Sequence, residues 1–206
     1  MDNIRKIAIN VDVQNDFCPG GSLAVKDGNE VTTPLNEIND AVRTSGGQVI
    51  FTRDWHPAIT NHFNQYGGPW PSHCVADTDG GAFHDDLDVQ ANDVLISKGT
   101  EIDEDAYSGF QGKTNDGVTL AELVRPKENE KVILAIGGLA TDYCVKATVL
   151  DALNLDNQDQ IEVYAVIDAM KPVEINPCDG TAALEEMLQA GAMLITAREA
   201  IERILG

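Results

Sequence analysis

The stretch KVILAIGGLATDYCVKATVLDALNL, residues 131 to 155, decides the fold. VILAI is a continuous apolar run of the length of a buried strand, and Gly137 and Gly138 punctuate its end. Beyond the glycines the chain reads as a helix, with Cys144 in its predicted first turn. Reading outward, the same alternation of short apolar runs and amphipathic stretches recurs along the chain. KIAINVDV (6–13), GQVIFTRD (47–54), DVLISKG (93–99), IEVYAVID (161–168) and AMLIT (192–196) are the other strand candidates, making six with 131–138. NEVTTPLNEINDAVRTSGG (29–47) reads as a helix closed by glycines and DGVTLAELVRP (116–126) as one ended by proline. CDGTAALEEMLQAGA (178–192) and REAIERILG (198–206) complete the set. This pattern predicts an α/β fold: one doubly wound domain over residues 1–206, with a mostly parallel six-stranded sheet and helices on both faces.

The segment from about 55 to 92 breaks the alternation. It holds both tryptophans, all four histidines and three of the eight prolines, with little periodicity. A loop of that length in a compact domain is usually functional or disordered, and its aromatic residues argue against disorder. It is expected to be a functional insertion.

The 34 acidic against 14 basic residues give a formal charge of −20, spread along the chain. Nucleic acid and anionic membrane are therefore excluded as expected partners. The cluster Glu101, Asp103, Glu104 and Asp105 reads as solvated surface. No apolar run is long enough to span a bilayer, and MDNIRKIAINVDVQ is too short in its apolar part for a signal peptide, which predicts a soluble, cytoplasmic protein. Cys18, Cys74, Cys144 and Cys178 lie far apart without CxxC spacing, so reduced thiols are expected.

In an open parallel sheet, ligands bind beyond the carboxyl ends of the strands, where strand order reverses. Asp12, Asp54, Lys98 and the glycine turn leading to Cys144 all stand at predicted strand ends. An acid, a lysine and a cysteine would then share a pocket. The positive end of a helix and a nearby ammonium favour the thiolate, with Asp12 as the base. Asp54, His56, His62 and His73 offer oxygen and nitrogen ligands to a catalytic divalent metal, three of them histidines within 18 residues. Zinc, iron and manganese all suit that set. His84, beside two acids in GAFHDDL, reads as a structural hydrogen-bonding residue.

VDVQNDFCPGGSLAV (11–25), TRDWHP (52–57), PWPSHCV (69–75), ISKGTE (96–101), DAYSGF (105–110) and GLATDYCVKATVLDA (138–152) resemble the sequence blocks of nicotinamidases, also called pyrazinamidases. These belong to the isochorismatase-like cysteine hydrolases, and the blocks stand in family order over nearly the whole chain. The resemblance implies Asp12, Lys98 and Cys144 as catalytic triad, and Asp54, His56 and His73 as ligands of one divalent metal ion. His62 is a further ligand in some members at this spacing. It also implies a cis peptide at Leu139–Ala140, an oxyanion hole from the Ala140 and Cys144 amides, and a ring pocket lined by Phe17, Trp70 and Tyr107. The implied reaction is hydrolysis of nicotinamide, and also of pyrazinamide, in NAD salvage. Tyr143 stands where relatives can carry a histidine beside the nucleophile, so no essential role is assigned to it. The oligomeric state is left open, with a homo-oligomer compatible. Rival readings are another small-amide or ureido hydrolase of the same superfamily, a metal or thiol sensor, and a structural zinc loop. The metal block argues against the first, since relatives such as isochorismatases generally lack it, and a sensor would not require Asp12 and Lys98 at neighbouring strand ends.

Overall fold

In the computed structural model, which describes residues 3–205, six strands form one sheet. They are β1 (Asn3–Val11), β2 (Gln48–Asp54), β3 (Val94–Lys98), β4 (Glu130–Leu139), β5 (Ile161–Lys171) and β6 (Met193–Ile195). The order is β3-β2-β1-β4-β5-β6, and every pairing is parallel. The chain runs outward from β1 to β3 and then returns to the other side of β1 as β4. The switch point therefore lies between β1 and β4, and ligands in such sheets bind beside it.

Five helices cover the sheet: α1 (Thr32–Thr44), α2 (Leu120–Val124), α3 (Lys146–Leu153), α4 (Asp179–Ala190) and α5 (Ala197–Leu205). Alternation along β1 shows how both faces fill: Ile7, Ile9 and Val11 pack with residues of α2, α3 and α4, whereas Ala8 packs with α1 and α5. Asn10 is the exception, fully buried on the second face, and it exchanges two amide hydrogen bonds with Asn39 of α1 at 2.9 and 3.1 Å. A buried amide pair without those bonds would cost about 1–3 kcal/mol per unsatisfied group, so it fixes how α1 seats.

Three local expectations change. The helix placed over 29–47 opens with a 3₁₀ turn at Gly28–Val31 before α1. The one placed over 116–126 contracts to α2, because Thr119 and Glu122 cap it reciprocally and Pro126 stands just past its end. The helix predicted from the Gly137–Gly138 turn begins as a π turn, Thr141–Val145, ahead of α3, so Cys144 lies before the α-helix and not in its first turn. Gly138 has φ +126°, and a β-carbon there would run into the backbone of Val11, so the end of the β1–β4 pairing requires glycine. Among the described residues no helix is long and apolar enough to cross a membrane, and all four cysteines are free thiols.

Candidate active site

Strand register assembles the site. Val11 of β1 pairs with Thr52 of β2 and Gly138 of β4, while Asp54 pairs with Lys98 of β3. The residue after β1, Asp12, takes a left-handed φ of 50°, which turns its carboxylate toward β2. There Thr52 Oγ1 donates to Asp12 Oδ1 at 2.6 Å. Lys98, only 1% exposed, spans the gap: its Nζ lies 2.9 Å from Asp12 Oδ2, donates to Asp54 Oδ1 and to the Ala106 carbonyl at 2.9 Å, and sits 3.5 Å from Cys144 Sγ. The Asp12 contact is an ion pair without directed hydrogen-bond geometry, so Oδ2 keeps its lone pairs free, and an Asp12 carboxylate oxygen lies within 4.8 Å of Cys144 Sγ.

One buried ammonium thus serves two buried carboxylates. Burial opposes the charge on Lys98, yet Asp12 and Asp54 outweigh it and hold its pKa well above the ordinary lysine value. Burial raises the pKa of Asp12 despite Lys98, whereas at Asp54 Lys98 and the histidines overcome burial and lower it. At Cys144, burial reinforced by both carboxylates exceeds the influence of Lys98, and the thiol pKa stands well above its usual value. A thiol whose pKa is held up, beside a carboxylate whose pKa is also raised, suits transfer of the thiol proton to Asp12 as the attack begins.

Cys144 is held by its own turn. Its carbonyl accepts Thr148 Oγ1 at 2.7 Å, and that hydroxyl accepts the Gly109 amide at 2.9 Å. The Ala140 carbonyl accepts the amides of Tyr143 and Val145, both at 3.1 Å, and passes over that of Cys144 between them. The Leu139–Ala140 peptide is cis.

His56, His62 and His73 present ring nitrogens within 4.8 Å of one another. Each Nδ1 is engaged elsewhere: His56 with the Gly99 carbonyl at 3.0 Å, His73 with the Pro71 carbonyl at 2.7 Å, and His62 with Asp105. Those acceptors place the proton on Nδ1 and leave each Nε2 lone pair facing the shared space. His56 Nε2 is fully buried without a hydrogen-bond partner, and Asp54 Oδ2 lies 3.8 Å from Nε2 of both His56 and His73. Burial lowers the pKa of His62 and brings that of His73 to about 4, keeping both neutral. A buried, unpartnered imidazole nitrogen beside a carboxylate suits a divalent cation. Gly99, with φ +64°, leaves no room for a β-carbon against the His56 ring. These ligands are proposals from geometry and donor chemistry, and they predict that His56→Ala lowers metal content per chain together with activity. Elemental analysis at unchanged stoichiometry would contradict the assignment.

One cleft joins these parts. Cys144, Asp54, His62, His73 and Ala140 line it together with Phe17, Trp70, Tyr107 and Tyr143. Trp70 Nε1 donates to Tyr107 OH at 2.9 Å, and Tyr143 stands edge-on to Trp70 at 5.0 Å. The walls are aromatic and the floor is polar, a shape for a flat ring bearing one reactive group.

Several supporting residues carry no sequence signal of their own. Asp105, expected with its neighbours to be solvated surface, orients His62, and Asp103 accepts a bond from Asn61 in the same loop. Thr52, Gln14 and the Gly99, Pro71 and Ala106 carbonyls hold the reacting groups. Asp105 and Gln14 do lie within the blocks DAYSGF and VDVQNDFCPGGSLAV, which is the one signal that could have found them. His84 accepts the Asp86 amide at 3.2 Å, a structural role.

The family description "Isochorismatase domain" matches residues 6–199. The nicotinamidase of Escherichia coli (strain K12) is 37% identical over 202 residues, covering 90% of this chain and 92% of that one. Among solved structures, the pyrazinamidase of Pyrococcus horikoshii in complex with zinc is 41% identical with a TM-score of 0.81, covering 93% of this chain and 99% of that one. PnC1 from L. infantum in complex with nicotinate is 30% identical with a TM-score of 0.74, covering 94% of this chain and 93% of that one.

Proposed function

The chain belongs to the isochorismatase family, and from that premise we propose that it is a nicotinamidase, hydrolysing nicotinamide, and pyrazinamide likewise, to the carboxylate and ammonia. The carrying observation is that Cys144, His62, His73 and the aromatic walls open onto one cleft, with Lys98 bridging Asp12 and the sulfur behind it.

The residues set the order of steps. Asp12 accepts the Cys144 proton, and the sulfur attacks the carboxamide carbon, forming the C–S bond. The amides of Ala140 and Cys144 receive the developing oxyanion; losing one such donor costs about a hundred- to a thousand-fold in rate in other enzymes. Collapse breaks the C–N bond, and ammonia leaves with the proton held by Asp12. Water then attacks the thioester, Asp12 takes its proton, and the thiol is restored as the carboxylate product departs. Lys98 stays charged throughout and keeps Asp12 correctly placed. Phe17, Trp70 and Tyr107 sandwich and cover the ring. Asp54, His56 and His73, with His62 as the fourth, would hold one divalent ion (zinc, iron or manganese). Bound there, the ion supplies a Lewis-acid position for the ring nitrogen or a water. Zinc is favoured by the imidazole-rich set and by the zinc complex of the P. horikoshii relative.

The loop 55–92 is the metal-binding insertion of a single hydrolase domain under this reading. The role fits pyridine nucleotide salvage in the cytoplasm, with a neutral small molecule as partner.

A pH profile tests the base. Asp12 must be ionised to accept the proton, and burial raises its pKa from the ordinary carboxylate value. The acid limb of kcat/KM is therefore expected above the ordinary range of about 4, with activity lost as pH falls through it. That limb belongs to the coupled Asp12–Cys144 pair. A limb at or below about pH 4 would remove Asp12 as the base.

A further inference from the structure

We infer that Gln14 is the positioning residue that sets the metal affinity of the site, acting through the backbone of Asp54. The β1–β2 ladder stops just beyond Val11–Thr52, because Asp12 turns away with φ 50° and makes a last bond from its amide to the Thr52 carbonyl at 3.2 Å. The backbone of Asp54, two residues further, has lost its strand neighbour on that side. The Gln14 side chain takes the neighbour's place. Its Oε1 accepts the Asp54 amide at 2.8 Å, and its Nε2 donates to the Asp54 carbonyl at 2.8 Å. The second Nε2 hydrogen donates to the Gly81 carbonyl, also at 2.8 Å.

Gln14 is completely buried, and both its donors are used. The carboxamide therefore clamps both peptide groups of Asp54 while tying them to the 55–92 loop that carries the histidines. Gln14 and Gly81 lie outside the cleft lining, so the effect on the metal is routed through the placement of the Asp54 carboxylate. Outer-shell partners of metal ligands typically change affinity by about 10- to 100-fold when removed.

The inference rests on the reading of Asp54 as a metal ligand, and the test separates the two. Zinc affinity is measured by chelator competition on the full chain for wild type, Gln14→Met, Gln14→Glu, Asp54→Ala and the double variant Gln14→Met with Asp54→Ala. Gln14→Met keeps the length of the side chain and removes all three bonds, so zinc should bind about 10- to 100-fold more weakly. Gln14→Glu faces two carbonyls with a carboxylate and should weaken binding at least as much; it carries the test if the methionine variant does not fold. In the Asp54→Ala background, Gln14→Met should change affinity less than about threefold, whereas a general structural effect would persist at full size. Asn39→Ala, which breaks the buried amide pair with Asn10, serves as a destabilised control and should leave zinc affinity unchanged. Wild-type affinity in either Gln14 variant, or an undiminished effect in the double variant, overturns the inference. Wild-type affinity in Asp54→Ala alone overturns the ligand assignment beneath it.

Discussion

Cys144→Ala should lower the rate of ammonia release from nicotinamide by on the order of a thousandfold or more, at unchanged metal content and unchanged fold. The loss is large because the sulfur is the only nucleophile the site aims at the cleft beside a base. Removing it leaves the aromatic walls and the metal-facing imidazoles intact, so binding of the ring should survive. Burial and two carboxylates push the thiol pKa up, and the neighbouring Asp12, whose own pKa is raised by burial, is the base placed to take the proton. Nicotinate binding to the variant, read by calorimetry, separates lost chemistry from lost binding. Ammonia release within tenfold of wild type would mean that water attacks the amide directly.

Lys98→Met should damage stability as well as catalysis. Lys98 is the one cation among two buried carboxylates, and removing it leaves Asp12 and Asp54 buried with their charges unpaired. Breaking a buried pair in this way costs about 3–5 kcal/mol, several times what a surface ion pair contributes. The sign with pH is definite. Without the ammonium, the folded carboxylate pKa values rise above their unfolded values, so the folded state binds more protons. Stability of the variant then increases relative to wild type as pH falls through those raised values. Urea unfolding of metal-free protein at two pH values reads both effects. A loss below about 1 kcal/mol at neutral pH would show that the carboxylates are already neutral in the wild type.

What the sequence revealed and what it hid have a common physical origin. The six strands were legible because a buried parallel strand needs an uninterrupted apolar run, and VILAI or YAV can hardly serve elsewhere. Asp12, Asp54, Lys98 and Cys144 were legible because strand ends follow from strands, and a doubly wound sheet collects those ends. Gln14, Thr52 and Asp105 were hidden because each acts by one side-chain hydrogen bond, or a few, to a group some 40 residues away, and such bonds leave no periodic trace. The insertion was visible as an aperiodic stretch, but its own fold rests on isolated bridges such as His56–Val75 and Phe63–Trp70. The upward shift of the Cys144 thiol was hidden for a related reason: the helix end and Lys98 can be read from the chain, whereas burial cannot. The π turn is a departure of one hydrogen bond from the α-helix, and helical periodicity does not resolve it.

The covalent route is tested most directly by hydrolysing nicotinamide in the presence of hydroxylamine and quantifying ammonia, nicotinate and nicotinohydroxamate together. A Cys144 thioester predicts that hydroxamate forms at the expense of nicotinate while ammonia still accounts for all substrate consumed, with neither product from Cys144→Ala. Continued ammonia release with nicotinate as the sole acid product at every hydroxylamine concentration would contradict it.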